Sequence, residues 1–200
     1  MKAVTFKNFG NSDVLEISEI EIPKFSEDEV LIKVKGAGVN RPDIIQRLGF
    51  YPPPKGASEI LGLEVSGTIV EIGRNIDKSL IGKEVCTLLT GGGYAEYVAC
   101  NMSTVLPVPD GIPLLDACTI PETFFTVWTN LFDQGALKKD ESLLVHGGAS
   151  GIGLTAISIA KALNIRSLAT VGSSEKKAAI DELNIERCIN YQIEDFENII

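Results

Sequence analysis

Between Glu141 and Tyr191 the chain alternates apolar, β-branched runs with helix-patterned ones. SLLVHGG, GIGLTAISIAKALN, SLATVG, SEKKAAIDELN and CINY follow one another with short connections. A strand that returns to a parallel neighbour needs a crossover, and a helix of about a dozen residues supplies it. The order therefore predicts a parallel sheet covered by helices. The first strand enters the first helix through Gly148, Gly151 and Gly153. Such a loop turns tightly, admits a ligand to the backbone, and presents the unpaired N–H groups and partial positive charge of a helix start. A pyrophosphate meets those conditions. As a G-x-G-x-x-G dinucleotide fingerprint, Gly148-Ala149-Ser150-Gly151-Ile152-Gly153 carries Ser150 in place of the middle glycine.

A free ribose 2′-hydroxyl calls for a carboxylate at the end of the second strand, about 20 residues on. The chain has Gly172, Ser173 and Ser174 there, with Lys176 and Lys177 in the next turn. Hydroxyls and ammonium groups without a carboxylate suit a 2′-phosphate, which predicts NADP rather than NAD. The two lysines also fit a solvated helix face.

Ahead of this region the pattern is mostly strand. KAVTFKN, VLEISEIEIP, EVLIKVKGAGVN, EVSGTIVEIG, KEVCTLL and YAEYVAC are short, rich in Val, Ile and Thr, and bounded by turn residues. They predict an all-β barrel or sandwich, interrupted by one short helix, RPDIIQRLG, and the proline-stiffened loop FYPPPKGASEI. The pattern turns helical at Leu114, with LLDACTI and then ETFFTVWTNLFDQG, in which Phe124, Val127, Trp128 and Leu131 recur at helical spacing. The expected division is thus 1–113 for a β domain and 114–200 for linking helices and a partial nucleotide-binding sheet of three strands. EDFENII reads as a last helical piece.

With 27 acidic and 18 basic residues, a net charge of −9 and no basic run, nucleic acid and anionic membrane are not expected partners. The four cysteines are widely spaced and form no C-x-x-C pair, the usage of reduced thiols rather than of disulfides or a zinc cluster. MKAVTFKNFG has no apolar signal-peptide core, and no apolar run is long enough for a membrane span. A cytoplasmic location is expected.

The segments GVNRPDIIQRLGFYPPPKGASEILGLEVSGTIVEIG, GGGYAEYV, PETFFTVWTNLF and VHGGASGIG occur in order along essentially the whole chain. In them the sequence resembles the medium-chain dehydrogenase/reductase superfamily, and within it the zinc-free quinone oxidoreductase group. The resemblance implies a GroES-like β-barrel catalytic domain followed by a Rossmann domain, with the active site in the cleft between them. Zinc alcohol dehydrogenases share that fold and take catalytic zinc on a Cys and a Gly-His-Glu segment. This chain has Asn40 near the first ligand position and Gly62-Leu63-Glu64 where the histidine would stand. Its single histidine, His146, has no Cys near it, and the four-cysteine structural zinc lobe is missing. No zinc is expected.

Without a Lewis acid the substrate must accept hydride unaided. A quinone or electron-poor enone does, because the arriving charge spreads onto a conjugated oxygen. By resemblance, Asn40, Asp43 and Tyr51 line the substrate side and Thr126 contacts the nicotinamide end. Gly151, Ile152, Gly172, Ser173, Lys176 and Tyr191 match positions that hold the pyrophosphate, ribose and 2′-phosphate. Each has a structural alternative. Asn40 and Asp43 suit the cap of the helix RPDIIQR, Tyr51 suits packing against Pro52-Pro53-Pro54, and Thr126 suits a buried helix position. His146 suits a strand end, and Glu64 a structural carboxylate.

Members of the superfamily run past 300 residues and are typically homodimers. The sequence stops after the third Rossmann strand, so the expectation is a fragment or a truncated relative lacking the dimer edge, with weak cofactor binding and little turnover if complete. The leading functional expectation is NADPH-dependent, zinc-free quinone reduction. The alternatives are an enone or enoyl-thioester reductase of the same superfamily and a non-catalytic nucleotide-binding protein.

Overall fold

Val30, Ile32, Val65 and Ile69 alternate along two nine-residue strands and are almost wholly buried, and this fixes the face of each strand that turns inward. In the computed structural model, which describes Met1–Ile199, these strands are β3 (Glu29–Ala37) and β4 (Glu64–Ile72). Short strands precede them, β1 (Lys2–Thr5) and β2 (Glu16–Glu19), which pair antiparallel with each other. Between β3 and β4 lies α1 (Arg41–Arg47), and after β4 come β5 (Glu84–Leu88), β6 (Tyr97–Asn101) and β7 (Val105–Pro107). The larger sheet has the order β6-β3-β4-β5-β7 and is antiparallel throughout. Val85, Val98 and Val105 join the central pair in one core. The sequence pattern does not reveal β7, because Pro107 ends it and Pro109 follows. A proline is tolerated there because β7 is an edge strand.

The linking segment is less helical than its pattern predicts. LLDACTI gives only a 3-10 turn at Asp116–Thr119. Helix α2 (Pro121–Trp128) continues as a π-helical stretch, Thr129–Gln134. Val127 is buried, whereas Phe124 and Trp128 are exposed, so the apolar spacing of this helix exceeds what its own unit covers. The two compact units divide between Glu122 and Thr123, further along than the change of pattern at Leu114.

The second unit follows the predicted alternation: β8 (Ser142–His146), α3 (Gly151–Ala162), β9 (Arg166–Val171), α4 (Ser174–Asp181) and β10 (Arg187–Asn190). The strands are parallel and ordered β10-β9-β8, as in the first half of a doubly wound sheet. Ile157 and Ala160 of α3 and Ile180 of α4 bury against Val145, Ala169 and Cys188. The helical reading of EDFENII is not met. Its residues 194–196 are bends and irregular chain and 197–199 a turn, and Ile200 lies outside the described residues. Among the described residues no helix is long and apolar enough to cross a membrane. All four cysteines are buried and unpaired.

Candidate functional site

The first unit gathers its polar side chains at the start of α1. Asn40 is extended and Pro42 follows it, which sets the helix start. Asp43, only 3% exposed, accepts the Asn40 N–H at 2.8 Å, the Gly62 N–H at 3.0 Å and the Tyr94 hydroxyl at 2.9 Å. Its carboxylate thus ties the helix start, the turn before β4 and the GGGY segment together. Asn40 uses its side-chain amide differently, donating to Glu64 Oε1 at 2.9 Å. Glu64, 2% exposed, takes the Glu122 N–H on its other oxygen at 2.9 Å, so a buried carboxylate closes the start of α2.

The electrostatics follow from this crowding. Burial pushes the Glu64 carboxyl up, against the pull of the Asn40 and Glu122 hydrogen bonds, and the Asp43 charge adds to the rise. Glu122 is raised by burial and then by Glu64 and Asp43. Burial, with Asp43 beside it, also raises the Tyr94 phenol, which stays protonated and donates to Asp43. Burial first and Glu64 second raise the Cys86 and Cys118 thiols.

Tyr51 is 48% exposed and stands apart from this hydrogen-bond network. It borders two cavities of the first unit. One of about 170 Å³ runs past Pro42, Leu63, Leu89 and Glu122, and one of about 410 Å³ past Phe6, Phe9 and Pro52. Of the residues expected on the substrate side, Asn40 and Asp43 therefore occupy the buried polar network and Tyr51 the cavity wall. Tyr94, Glu122 and Gln46, the last on both cavities, were not anticipated. Gln46 follows Asp43 by three residues, so the two share a helix face, and that spacing was the available signal.

In the second unit the glycine loop has the form a pyrophosphate needs. Gly147 holds φ at +73°, which turns the chain after β8. A Cβ on Gly148 would come 2.7 Å from the Ala169 Cβ on β9, and one on Gly153 would come 2.5 Å from the Gly147 carbonyl oxygen. Ser150 caps α3, its Oγ accepting the Gly153 N–H at 3.0 Å, while the Leu154 N–H goes to the Ser150 carbonyl at 2.8 Å. Of the first N–H groups of the helix, those of Gly151 and Ile152 are left for a ligand. Ala149 is half-buried in the loop. Above Gly151 the space is open, an added Cβ meeting only the Thr123 methyl at 3.6 Å.

At the end of β9 the Tyr191 hydroxyl lies over Gly172, 2.5 Å from where a Cβ would stand. Ser173 caps α4 through the Lys176 N–H at 3.2 Å. The two lysines differ. Lys177 donates to the Cys188 carbonyl and lies within 3.8 Å of Asp181 and 3.9 Å of Glu194, whereas the exposed Lys176 ammonium has no ion pair among the described residues. Gly172, Ser173, Lys176 and Tyr191 thus form one group, which fits a phosphorylated ribose. Thr126 is half-buried in α2, and its carbonyl accepts the Asn130 side-chain amide at 2.8 Å. His146 Nδ1 is 3.0 Å from Thr170 Oγ1 and its ring meets Phe196 edge-on, the setting of a strand-end residue. Among the described residues no three His, Cys, Asp or Glu side chains stand where they could share a metal ion.

The alcohol dehydrogenase GroES-like domain matches residues 26–110. The human quinone oxidoreductase is 32% identical over 194 residues, covering 96% of this chain and 59% of its own length. In its GroES-like segment and along nearly its whole length the chain is thus similar to quinone oxidoreductases of the medium-chain dehydrogenase/reductase superfamily. Its two units are a GroES-like domain and a portion of a Rossmann-like parallel sheet, as in those enzymes. The solved structure of the Escherichia coli quinone oxidoreductase complexed with NADPH superposes with a TM-score of 0.83 at 28% identity, covering 98% of this chain and 60% of that one. The CurK enoyl reductase superposes at 0.88 with 25% identity, covering 100% of this chain and 62% of that one. The chain therefore spans about three-fifths of the length of these relatives. Oxidoreductase chemistry is what they have in common.

Proposed function

We propose that the chain is the acceptor-binding and NADPH-binding part of a zinc-independent reductase of quinones or similar conjugated carbonyls. The observation that carries this reading is the group at the end of β9, where Gly172, Ser173, Tyr191 and a Lys176 without an ion pair among the described residues stand with no carboxylate among them. When bound, NADPH supplies a hydride. The N–H groups of Gly151 and Ile152 hold its pyrophosphate, and Lys176 its 2′-phosphate. Thr126 belongs to the nicotinamide end. The quinone oxidoreductase complexed with NADPH among the relatives supports the cofactor.

Zinc independence rests on the donor set. Leu63, at the histidine's place in the segment, has no donor atom, and Asn40 and Glu64 spend polar atoms on each other and on the start of α2. An acceptor must then stabilise the incoming charge through its own conjugation and through hydrogen bonds from the protein. The cavities beside Tyr51 have the apolar walls such a flat molecule needs. The reading includes a small-molecule acceptor, a cytoplasmic setting and a homodimer in the whole protein.

A second reading, reduction of an enone or enoyl thioester, is favoured by the likeness to the CurK enoyl reductase. Comparing a quinone with a 2-enal as NADPH oxidant separates the two, and metal analysis of the active protein tests zinc independence. Binding of NADPH without oxidation by either acceptor would support a non-catalytic role.

Two variants test the cofactor site directly. Lys176→Ala weakens NADPH binding about tenfold and leaves NADH binding unchanged, since one charge-assisted contact is worth ~1.5 kcal/mol. Lys177→Ala instead lowers thermal stability, because that ammonium holds the Cys188 carbonyl. Gly172→Ala pushes the Tyr191 hydroxyl aside but meets no backbone atom under 3 Å. Its melting temperature stays close to that of the unaltered protein while the NADPH dissociation constant rises about threefold to tenfold. Equilibrium titrations with the two cofactors, alongside melting curves, measure both variants.

A further inference from the structure

Helix α1 buries two polar side chains, Asp43 and Gln46, and only one of them is used by the fold. Asp43 has the three partners described above. Gln46 is 4% exposed, yet its carboxamide has no hydrogen-bond partner among the described residues. No buried side-chain polar atom is left without a partner among the described residues, so the unbonded carboxamide atoms reach solvent, and Gln46 lines two cavities. The side chain borders the two cavities beside Tyr51, and Tyr51 and Pro53 also border both. The two spaces therefore share Gln46, Tyr51 and Pro53 as wall residues, and the larger falls within the roughly 300–1,000 Å³ of small-molecule sites.

The larger cavity is walled by Phe6, Phe9, Tyr51 and two prolines, with Lys7, Asn8 and Glu59 as its other polar residues, and its apolar walls are held in place. Gly10 and Arg47 exchange two hydrogen bonds, backbone N–H to carbonyl at 3.1 Å and Arg47 Nε to the Gly10 carbonyl at 3.1 Å. That exchange fixes the Phe9 segment to the end of α1. The Phe9 ring lies against Gly49, whose φ of +87° and missing Cβ let it approach; a Cβ there would come 2.8 Å from the ring. Opposite stand Pro52 and Pro53, which have little freedom to lose. Lys7, the cation on this cavity, is paired with Glu16 at 3.3 Å, so the space offers no free positive charge to an anionic ligand.

We propose that the Gln46 side-chain N–H donates to a carbonyl oxygen of the acceptor and orients it, and that the acceptor carries an uncharged apolar arm that lies between Phe9 and Pro52. This rests on the reading of the chain as a reductase of conjugated carbonyls. It adds a positioning residue and narrows the substrate class to quinones with a hydrophobic substituent. Preformed walls hold such an arm at little entropic cost.

The test compares NADPH oxidation by an unsubstituted benzoquinone and by one bearing an aliphatic side chain, in the unaltered protein, Gln46→Leu and Phe9→Ala. Gln46→Leu loses about tenfold in kcat/KM for both acceptors, mainly through KM, with a melting temperature no lower than before, because no internal bond is broken. A lowered melting temperature with unchanged kinetics would make Gln46 structural and overturn the proposal. The unaltered protein favours the substituted quinone, and Phe9→Ala reduces that preference about tenfold. No preference, or one untouched by Phe9→Ala, would overturn it. If neither quinone oxidises NADPH, the proposed function fails, and calorimetric titration of the substituted quinone decides the inference alone. Binding weakened about tenfold in both variants supports it; absent or unaffected binding overturns it.

Discussion

Gly153→Ala abolishes useful NADPH binding, raising the dissociation constant about a hundredfold, while Gly151→Ala, two residues away, changes it less than about threefold. The contrast comes from what each new methyl group meets. At Gly153 it would lie 2.5 Å from the Gly147 carbonyl oxygen and 2.7 Å from that of Gly148. Both are backbone atoms of the loop itself, so α3 and the loop must part. The Ser150 cap and the aim of the Gly151 and Ile152 N–H groups are lost with them. Two charge-assisted hydrogen bonds at ~1.5 kcal/mol each account for the hundredfold. At Gly151 the methyl group meets only a Thr123 methyl at 3.6 Å, and the backbone N–H is retained. Equal effects from the two substitutions, measured by cofactor fluorescence titration, would show that the loop does not hold the pyrophosphate through these groups.

The second unit was legible because its signals are local. β-branched runs, glycines at a strand end and helices of one amphipathic period specify a parallel sheet without knowledge of distant residues. Gly148 and Gly153 are read correctly as points of close approach, yet the residue with positive φ is Gly147, which the fingerprint does not contain. The failures are local as well. EDFENII has helical spacing but too few residues to offset the cost of nucleating a helix, and it settles into bends and a turn. The strand β7 is hidden by prolines that an edge position tolerates.

The first unit hid more, since its site depends on contacts between residues far apart in sequence. Asn40 and Asp43 attract notice as a helix cap, and both are at the helix start. What spacing cannot show is that Asp43 also takes a hydroxyl from Tyr94 and that Glu64 takes an N–H from Glu122. Gln46 stands out only when the partners of every buried polar group around it are known. The resemblance prefers Lys176 over Lys177 by its spacing to Tyr191, and the Cys188 carbonyl, which holds Lys177, gives a physical difference between the two.

Glu64→Ala destabilises the first unit by roughly 2–4 kcal/mol, a fall of about 5–10 °C in melting temperature. It strands the Asn40 amide and the Glu122 N–H and leaves a cavity beside Gly38. Glu64→Gln costs less, yet it is not neutral. Both carboxylate oxygens accept hydrogen bonds, and an amide replaces one acceptor with a donor facing a donor. The two variants also differ from the unaltered protein in pH dependence. The Glu64 carboxyl is raised above its ordinary value of 4.5. The native state therefore holds the proton more tightly than the unfolded chain does, and the stability this contributes is full below pH 4.5 and declines as pH rises through the folded value. Glu122, also raised, acts in the same direction. Denaturant unfolding across that range should show a steeper decline in the unaltered protein than in Glu64→Gln, which has no proton to lose. Parallel profiles would mean that the Asn40 and Glu122 hydrogen bonds cancel the cost of burying the charge.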